Sequence, residues 1–437
     1  IYLKIGFENL NRWKKVDICL IVFASENENQ GGKMSTTLLQ NTQKIRGFQH
    51  QRFEYCKEKL IWVIKRKDFH CPRCGSLKVR SECVRIRDIQ GLPMGRHLVY
   101  FRIRIHRLYC QACHRRNFEH LHFLSSANAR ITRELERRII EERHEMSIRS
   151  IAMKYHLRWE LVKEIEKRSL ERKYARVSAA HVRQIGIDEI HVGRNSDRTF
   201  RFLTIVRDLQ SGAVIHVGNG KGVTALDGLS KKLRKNKLKV VAMDMSNAYA
   251  CWVGKHFPKA RIVFDHFHVI KLMNERLDKL RRRYVAELDA SQRNQFKKLR
   301  MLFLRNMEDQ DEDSLLILRN MRKHFKELSD AYMLKEALRS IYATVSNALE
   351  ARAAFRRWAT LAAATGSREL VAMAKTIREK LSGIITYWTF DRMSNASTEG
   401  FNNKIRWLIR QAYGFRDVFY LKLKIFQLPS IQPQREL

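Results

Sequence analysis

Two cysteine knuckles limit what this chain can fold into more than any other feature: CPRC, with Cys71 and Cys74, and CQAC, with Cys110 and Cys113. Four thiolates in two CxxC pairs are the ligand set of a closed, tetrahedral structural zinc site. Between the knuckles the residues alternate, as in Val99-Tyr100-Phe101-Arg102-Ile103-Arg104-Ile105, and a break falls at Gly91-Leu92-Pro93. That pattern predicts strands joined by a turn, the makings of a zinc ribbon. His70, His106 and His114 stand beside the knuckles as alternative ligands and read better as surface or DNA-facing residues. Cys83 reads as a small buried residue rather than a fifth ligand.

The charge balance points to a partner. Lys+Arg 85 against Asp+Glu 45 leaves a net charge of +40, and the pI is near 10.3. With 44% apolar and 10% aromatic residues the chain is a folded one, and so large a positive excess fits a polyanion, nucleic acid first. At 437 residues two or three domains are expected. The apolar run at 16–24 falls well short of the ~18–20 residues of a membrane span, and no signal-peptide cleavage pattern follows it. A cytoplasmic, nucleoid-associated protein is expected, where paired cysteines mean metal rather than disulfides. Residues 1–33 start without methionine and end in Gly31-Gly32-Lys33 before Met34. They read as a translated leader, and peptides from 1–33 in cellular protein would refute this.

After the ribbon, MSIRSIAMKYHLRWELVKEIEKRSL (146–170) fits two short helices across a tight turn, with Ser147, Ile151, Ala152, Leu157, Val162 and Ile165 at the packing positions. The preceding ITRELERRIIEERHE supplies a third helix. In a helix-turn-helix the second helix, about 158–169 here, enters the major groove. Arg158, Lys163 and Lys167 are then its candidate DNA contacts. The plain alternative is a helical hairpin of no special function.

From residue 183 the pattern changes. RQIGIDEIHV (183–192), FRFLTIVRDL (200–209) and AVIHVGNG (213–220) predict three strands, with turns at 194–197 and 211–212. A helix at about 223–235, a strand at 239–246, a helix at 247–257 and a strand at 260–268 follow. This is the element order of a ribonuclease-H-like sheet, with Asp188 at the end of the first strand and Asp244 at the end of the fourth. Two divalent cations held by shared carboxylates suit phosphodiester chemistry, and magnesium favours such oxygen ligands. An acid among Ile185, Ile187 and Ile190 is costly unless paired or metal-bound, whereas Asp244 could merely cap the next helix. Glu189 and Asp208 lie near strand ends but complete no such set. A third carboxylate is at hand in MSNASTEGFNNKIRWLIRQAY (393–413). There Phe401, Ile405, Leu408 and Ala412 form an apolar stripe, and Glu399, Asn403, Arg406 and Arg410 a polar row. Ser397 or Thr398 could cap this helix, and Gly414 would end it.

These motifs resemble, in order, those of bacterial insertion-sequence DDE transposases of the ISL3 family: the CPRC…CQAC finger, the helix-turn-helix, IGIDE, VVAMDMSNAY, VFDHFHVIK and SNASTEGFNNKIRWLIRQAYGF. The resemblance runs from about 68 to 426. It implies a catalytic triad of Asp188, Asp244 and Glu399 using Mg2+ or Mn2+, with Asp265 and His268 in support. Asp265 is also the chief rival of Asp244. Arg158, where Ser or Thr is usual, departs from the helix-turn-helix pattern.

The expected organisation is a multidomain α/β chain: an N-terminal segment (1–67), a zinc ribbon (68–125) and a helix-turn-helix (126–175). A ribonuclease-H-like catalytic domain (180–270 and 386–426) follows, with a large all-α insertion (271–385). In the insertion, 280–289 and Arg352, Arg356 and Arg357 are candidate phosphate contacts. The expected partners are double-stranded DNA, as terminal inverted repeats and target, and a second copy of the chain. A DNA-binding regulator with a vestigial sheet is the alternative from another class, and a structure-specific nuclease or resolvase a third.

Overall fold

The structure, a computed structural model, describes residues 36–430 apart from 57, 176, 178, 195–199, 234–236, 290–292, 294–298, 391 and 393–395. The segment 1–33 and most of the turn at 194–197 therefore lie outside the described residues. The chain divides into two compact units at residue 172.

The first unit is built on a five-stranded sheet: β1 (Phe48–Cys56), β2 (Lys59–Arg66), β3 (Val79–Gln90), β4 (Leu98–Cys110) and β5 (Arg116–Phe118). Its order is β1-β2-β4-β3, with β5 also on β4. All pairs are antiparallel except β2 with β4. Alternation explains β4: Val99, Phe101, Ile103 and Ile105 are buried, and Arg104 points out. They pack with Trp62, Phe48 and Phe123 in one core. The sequence reading took 1–67 as a segment apart; β1 and β2 instead complete the ribbon's sheet and supply Trp62. Cys83 is a correction: it is exposed, at a register shift in β3.

Three helices close this unit, α1 (Arg133–Glu142), α2 (Ile148–Lys154) and α3 (Trp159–Tyr174). Ile151, Ala152, Val162 and Ile165 are buried with Leu135, Ile139 and Tyr155. Leu157 packs against them, and its N–H donates to Ala152 O at 2.8 Å across the turn. Ser147 does not pack: it is the exposed N-cap of α2, accepting from Ser150 N.

The second unit holds β6 (Gln184–Arg194), β7 (Phe200–Asp208), β8 (Val214–Asn219), β9 (Val240–Met243) and β10 (Arg261–Phe264) in the order β10-β9-β6-β7-β8. β6, β7 and β8 are antiparallel neighbours, while β9 and β10 run parallel to β6. The helix expected at 223–235 breaks into a 3-10 turn, Val223–Leu226, and a single turn, α4 (Leu229–Lys232), because Gly228 between them takes φ 78°. Then come α5 (Asn247–His256) and α6 (His266–Glu287). The strand expected to run to 268 stops at Phe264, and Asp265 caps α6.

The long helical stretch forms α7 (Arg300–Leu304), α8 (Glu312–His324), α9 (Lys326–Thr344), α10 (Ala348–Ala364) and α11 (Arg368–Thr389). These helices are not a bundle apart from the sheet. Phe355, Trp358, Met373 and Ile384 share one core with Ile185, Val241 and Val263. Gly383 of α11 sits so close to Phe264 that a Cβ there would lie 2.5 Å from its ring. On the sheet's other core, α12 (Ala396–Gln411) and α13 (Val418–Gln427) pack Phe401, Ile405, Leu421 and Ile425 against Ile190, Leu203 and Val217.

Candidate nucleic-acid processing site

Strand register explains why the acids gather at one end of the second unit. Gly186 of β6 pairs with Ala242 of β9, and Met243 of β9 with Phe264 of β10. Continuing these registers sets Asp188 level with Asp244, and Asp244 level with Asp265, on strands about 4.8 Å apart. Each acid is held differently. Asp188 Oδ1 accepts from Glu189 N, and Oδ2 accepts from Asn402 Nδ2, both at 2.8 Å. Asp244 Oδ1 accepts from Ser246 N at 3.1 Å. It is Ser246 that caps α5, so Asp244 is not the cap. Asp265 is buried; it accepts from Phe267 N at 3.3 Å and lies 3.3 Å from His266 Nδ1 and 3.7 Å from His268 Nδ1.

The electrostatics follow from this crowding. Burial pushes the Asp188 carboxyl above its ordinary value, and the charges of Asp244 and Asp265 push the same way. Burial would also raise Asp265, but the two imidazoles outweigh it and hold that carboxyl low. His268 is raised, by Asp265 beside it and then, against its own burial, by the field of Asp188 and Asp244.

Glu399 stands half-buried in the first turn of α12, three residues before Asn402, so the two side chains lie side by side on the helix. Asn402, unlike Glu399, escaped the sequence reading. It is 2% exposed, and among the described residues of that helix it is the one that donates to Asp188. Its spacing from Glu399 was the available signal. Of the expected polar row, Asn403, Arg406 and Arg410 are exposed, with Arg406 Nη1 donating to Asn403 Oδ1 at 2.6 Å. Of the expected stripe, Ala412 is exposed. Thr398 lies inside the helix with a buried hydroxyl that finds no partner, so it is no cap. Gly414 ends the helix as expected, with φ 96° and its N–H donating to Ile409 O.

The two acids set aside are both engaged. Tyr249 Oη donates to Glu189 Oε1 at 2.7 Å and accepts from Gly222 N at 3.0 Å. Asp208 is buried and organises its own turn, accepting from Gln210 N and Ser211 N. The 280–289 arginines are mostly consumed within the fold: Arg281 and Arg282 pair with Asp278, and Arg283 with Glu327 and Glu369. Arg352, Arg356 and Arg357 are exposed on α10.

In the first unit the knuckles meet. Cys71 Sγ lies 3.7 Å from Cys113 Sγ, and Cys74 Sγ 3.6 Å from Cys110 Sγ. All four sulfurs fall within 4.8 Å of one another, and this is the one such group of His, Cys, Asp or Glu among the described residues. A tetrahedron with Zn–S near 2.3 Å has an edge of about 3.8 Å, so the thiols fit zinc. Backbone N–H groups lower the Cys71 thiol to about 6 and lower Cys110 as well. Burial and the neighbouring thiols raise Cys113, and against the Ser76 N–H the Cys110 thiol raises Cys74, so one thiolate in each knuckle is favoured. Of the three nearby histidines, His70 is exposed, His106 lies beside buried Glu119 and His114 beside Tyr109. Arg158 lies exposed just before α3, and Lys163 and Lys167 lie half-buried, one turn apart, on it. No described helix is long and apolar enough to cross a membrane.

Comparisons with known proteins reach both units. Residues 67–113 match the zinc-finger of transposases IS204/IS1001/IS1096/IS1165. The chain is 27% identical over 363 residues to the transposase for insertion sequence element IS1001 of Bordetella parapertussis, covering 81% of this chain and 87% of that one. It is 29% identical over 264 residues to the transposase for IS1557 of Mycobacterium tuberculosis, covering 54% and 58%. Residues 185–425, more than half of the chain, match the family model of ISL3 DDE transposases, and the protein belongs to that family.

Proposed function

We propose that the second unit is a ribonuclease-H-like catalytic domain that cuts and joins DNA, with Asp188, Asp244 and Glu399 as its metal-binding triad. The observation that carries this reading is the Asn402–Asp188 hydrogen bond, which ties the helix bearing Glu399 to the strand end where Asp188 and Asp244 lie level. The order of three antiparallel strands followed by two parallel ones supports the fold assignment. Asp265 is committed to capping α6 and pairing with two histidines, which favours Asp244 as the second ligand. Magnesium or manganese held there would stabilise the attacking and leaving oxygens of an in-line displacement. The chain's own part is to keep Asp188 oriented through Asn402 and to hold His268 beside Asp265. Arg406 and Arg410 would steady the DNA backbone.

In the first unit, Cys71, Cys74, Cys110 and Cys113 would hold a structural zinc. Residues 133–174 would act as a helix-turn-helix, with Arg158, Lys163 and Lys167 toward DNA. Together they would bind the terminal inverted repeats, and pairing two DNA ends calls for at least a dimer. The test is cleavage of a labelled terminal-repeat duplex with magnesium. Wild type is expected to nick the end, and Glu399→Gln to lose at least two orders of magnitude in rate. Equal cleavage by both proteins ends the triad assignment. Tight specific binding without cleavage by either favours a regulator instead.

A further inference from the structure

The outer face of α12 carries one large exposed aromatic side chain, Trp407, and the turn that follows the helix carries another, Tyr413. Trp407 is 61% exposed and Tyr413 fully exposed. With the buried stripe of Phe401 and Ile405 on the inner side, helical spacing turns Trp407 almost straight outward. Lys404, Arg406, Arg410 and Arg416, the basic neighbours of the two rings in sequence, are exposed as well. Tyr413 shows a second peculiarity: its φ is 51°, the left-handed region that a bulky side chain seldom adopts. The turn between the end of α12 and Gly414 leaves this ring in water, fully exposed. Exposed rings set among guanidinium and ammonium groups match one ligand chemistry, an unpaired nucleotide: its base stacks on the ring and its phosphates meet the cations.

We infer that Trp407 and Tyr413 form a stacking platform for unpaired bases of a DNA end. The assignment of substrate to this face rests on the reading of Glu399 as a catalytic residue. Trp407 follows Glu399 by eight residues, about 12 Å along the helix, which is roughly two nucleotides of extended single strand. The platform therefore serves bases beside the phosphate being processed, and it prefers ends that are already frayed or opened. Stacking is tolerant of sequence, so the platform contributes affinity for open ends, not the choice of repeat.

The test uses the full chain without added divalent metal, so that no strand is cut. Two probes are compared: a blunt duplex of arbitrary sequence, and the same duplex with a three-nucleotide 3′ overhang containing 2-aminopurine. Wild type is expected to bind the overhang about tenfold tighter than the blunt end and to quench the 2-aminopurine. Trp407→Ala should lose both the preference and the quenching while keeping blunt-end affinity, and Trp407→Phe should retain most of both. Melting temperatures check that the exposed substitutions leave the fold intact. An unchanged preference in Trp407→Ala overturns the proposal. So does a change in self-association on sedimentation with DNA binding unaltered, because the face would then be a protein contact. Binding and cleavage fail separately: loss of overhang preference in Trp407→Ala together with Glu399-independent cleavage would sink the catalytic reading and leave the platform standing.

Discussion

Asn402 does for Asp188 what a sheet cannot do for itself. A carboxylate among isoleucines loses most of its water, and each of its oxygens then needs a donor. Oδ1 has the backbone N–H of Glu189, and among the described residues Oδ2 has the Asn402 amide. Asn402 Oδ1 is itself buried with no hydrogen-bond partner, so the residue is placed at a cost. Asn402→Ala is therefore expected to destabilise the second unit by about 1–3 kcal/mol, read as a lower urea midpoint. Asn402→Asp should be worse at neutral pH, since it sets one carboxylate against another, and should recover as the pH is lowered. If Asn402→Ala melts like wild type and the second variant shows no pH-dependent recovery, the contact is not made in solution. The signal for Asn402 lay three residues past Glu399. It was masked because neighbouring Asn403 completes the visible polar row, and periodicity cannot say which edge of a row faces a strand.

At the scale of elements, buried alternation was legible and chain reversals were not. The five strands of the second unit appear at the expected places because runs such as Val240–Met243 are wholly buried. The helix at 223–235 failed because one glycine in a left-handed conformation outweighs the helix propensity around it. Cationic runs misled for another reason: sequence shows the charge and hides its partner. On α6, Arg281 and Asp278 are both buried, with Arg281 Nε and Nη2 at 3.0 and 2.8 Å from Oδ1. Burial alone would raise the Asp278 carboxyl, but Arg281 and Arg282 outweigh it and hold it below its ordinary 3.8. A depressed carboxyl stabilises the fold fully above the unfolded value and loses that contribution as the pH falls through the folded one. Asp278→Asn should thus cost about 3 kcal/mol from pH 5 to 8, with the gap to wild type narrowing below about pH 4. A gap in urea midpoint that stays constant down to pH 3 would remove the ion pair from the account.

Over the whole molecule, the two units face different stability problems. The second buries a core that joins sheet and helices from Ala179 to Trp388. The first has two smaller cores, one around Trp62 and Phe101 and one among its three helices, and the far half of its ribbon reaches neither. From Arg80 to Ile86 every residue of β3 is exposed, so backbone pairing with β4 and the knuckles at its end are what fix it. A structural zinc supplies such a ribbon with order that apolar burial cannot, with apparent binding energies of about 10–16 kcal/mol in small zinc domains. The purified chain should accordingly contain one zinc. Its removal by chelator, or Cys74→Ser, should abolish hydrogen-exchange protection in the Arg80–Ile86 part of β3, in β5 and in the Cys110 end of β4. The strand segments around Trp62 and Phe101 should keep much of their protection, and amides of the second unit should be unchanged. Zinc well below one per chain, or protection in β3 that survives chelation, would mean that the four sulfurs converge without a metal. A loss spread equally over both units would mean that they do not unfold independently.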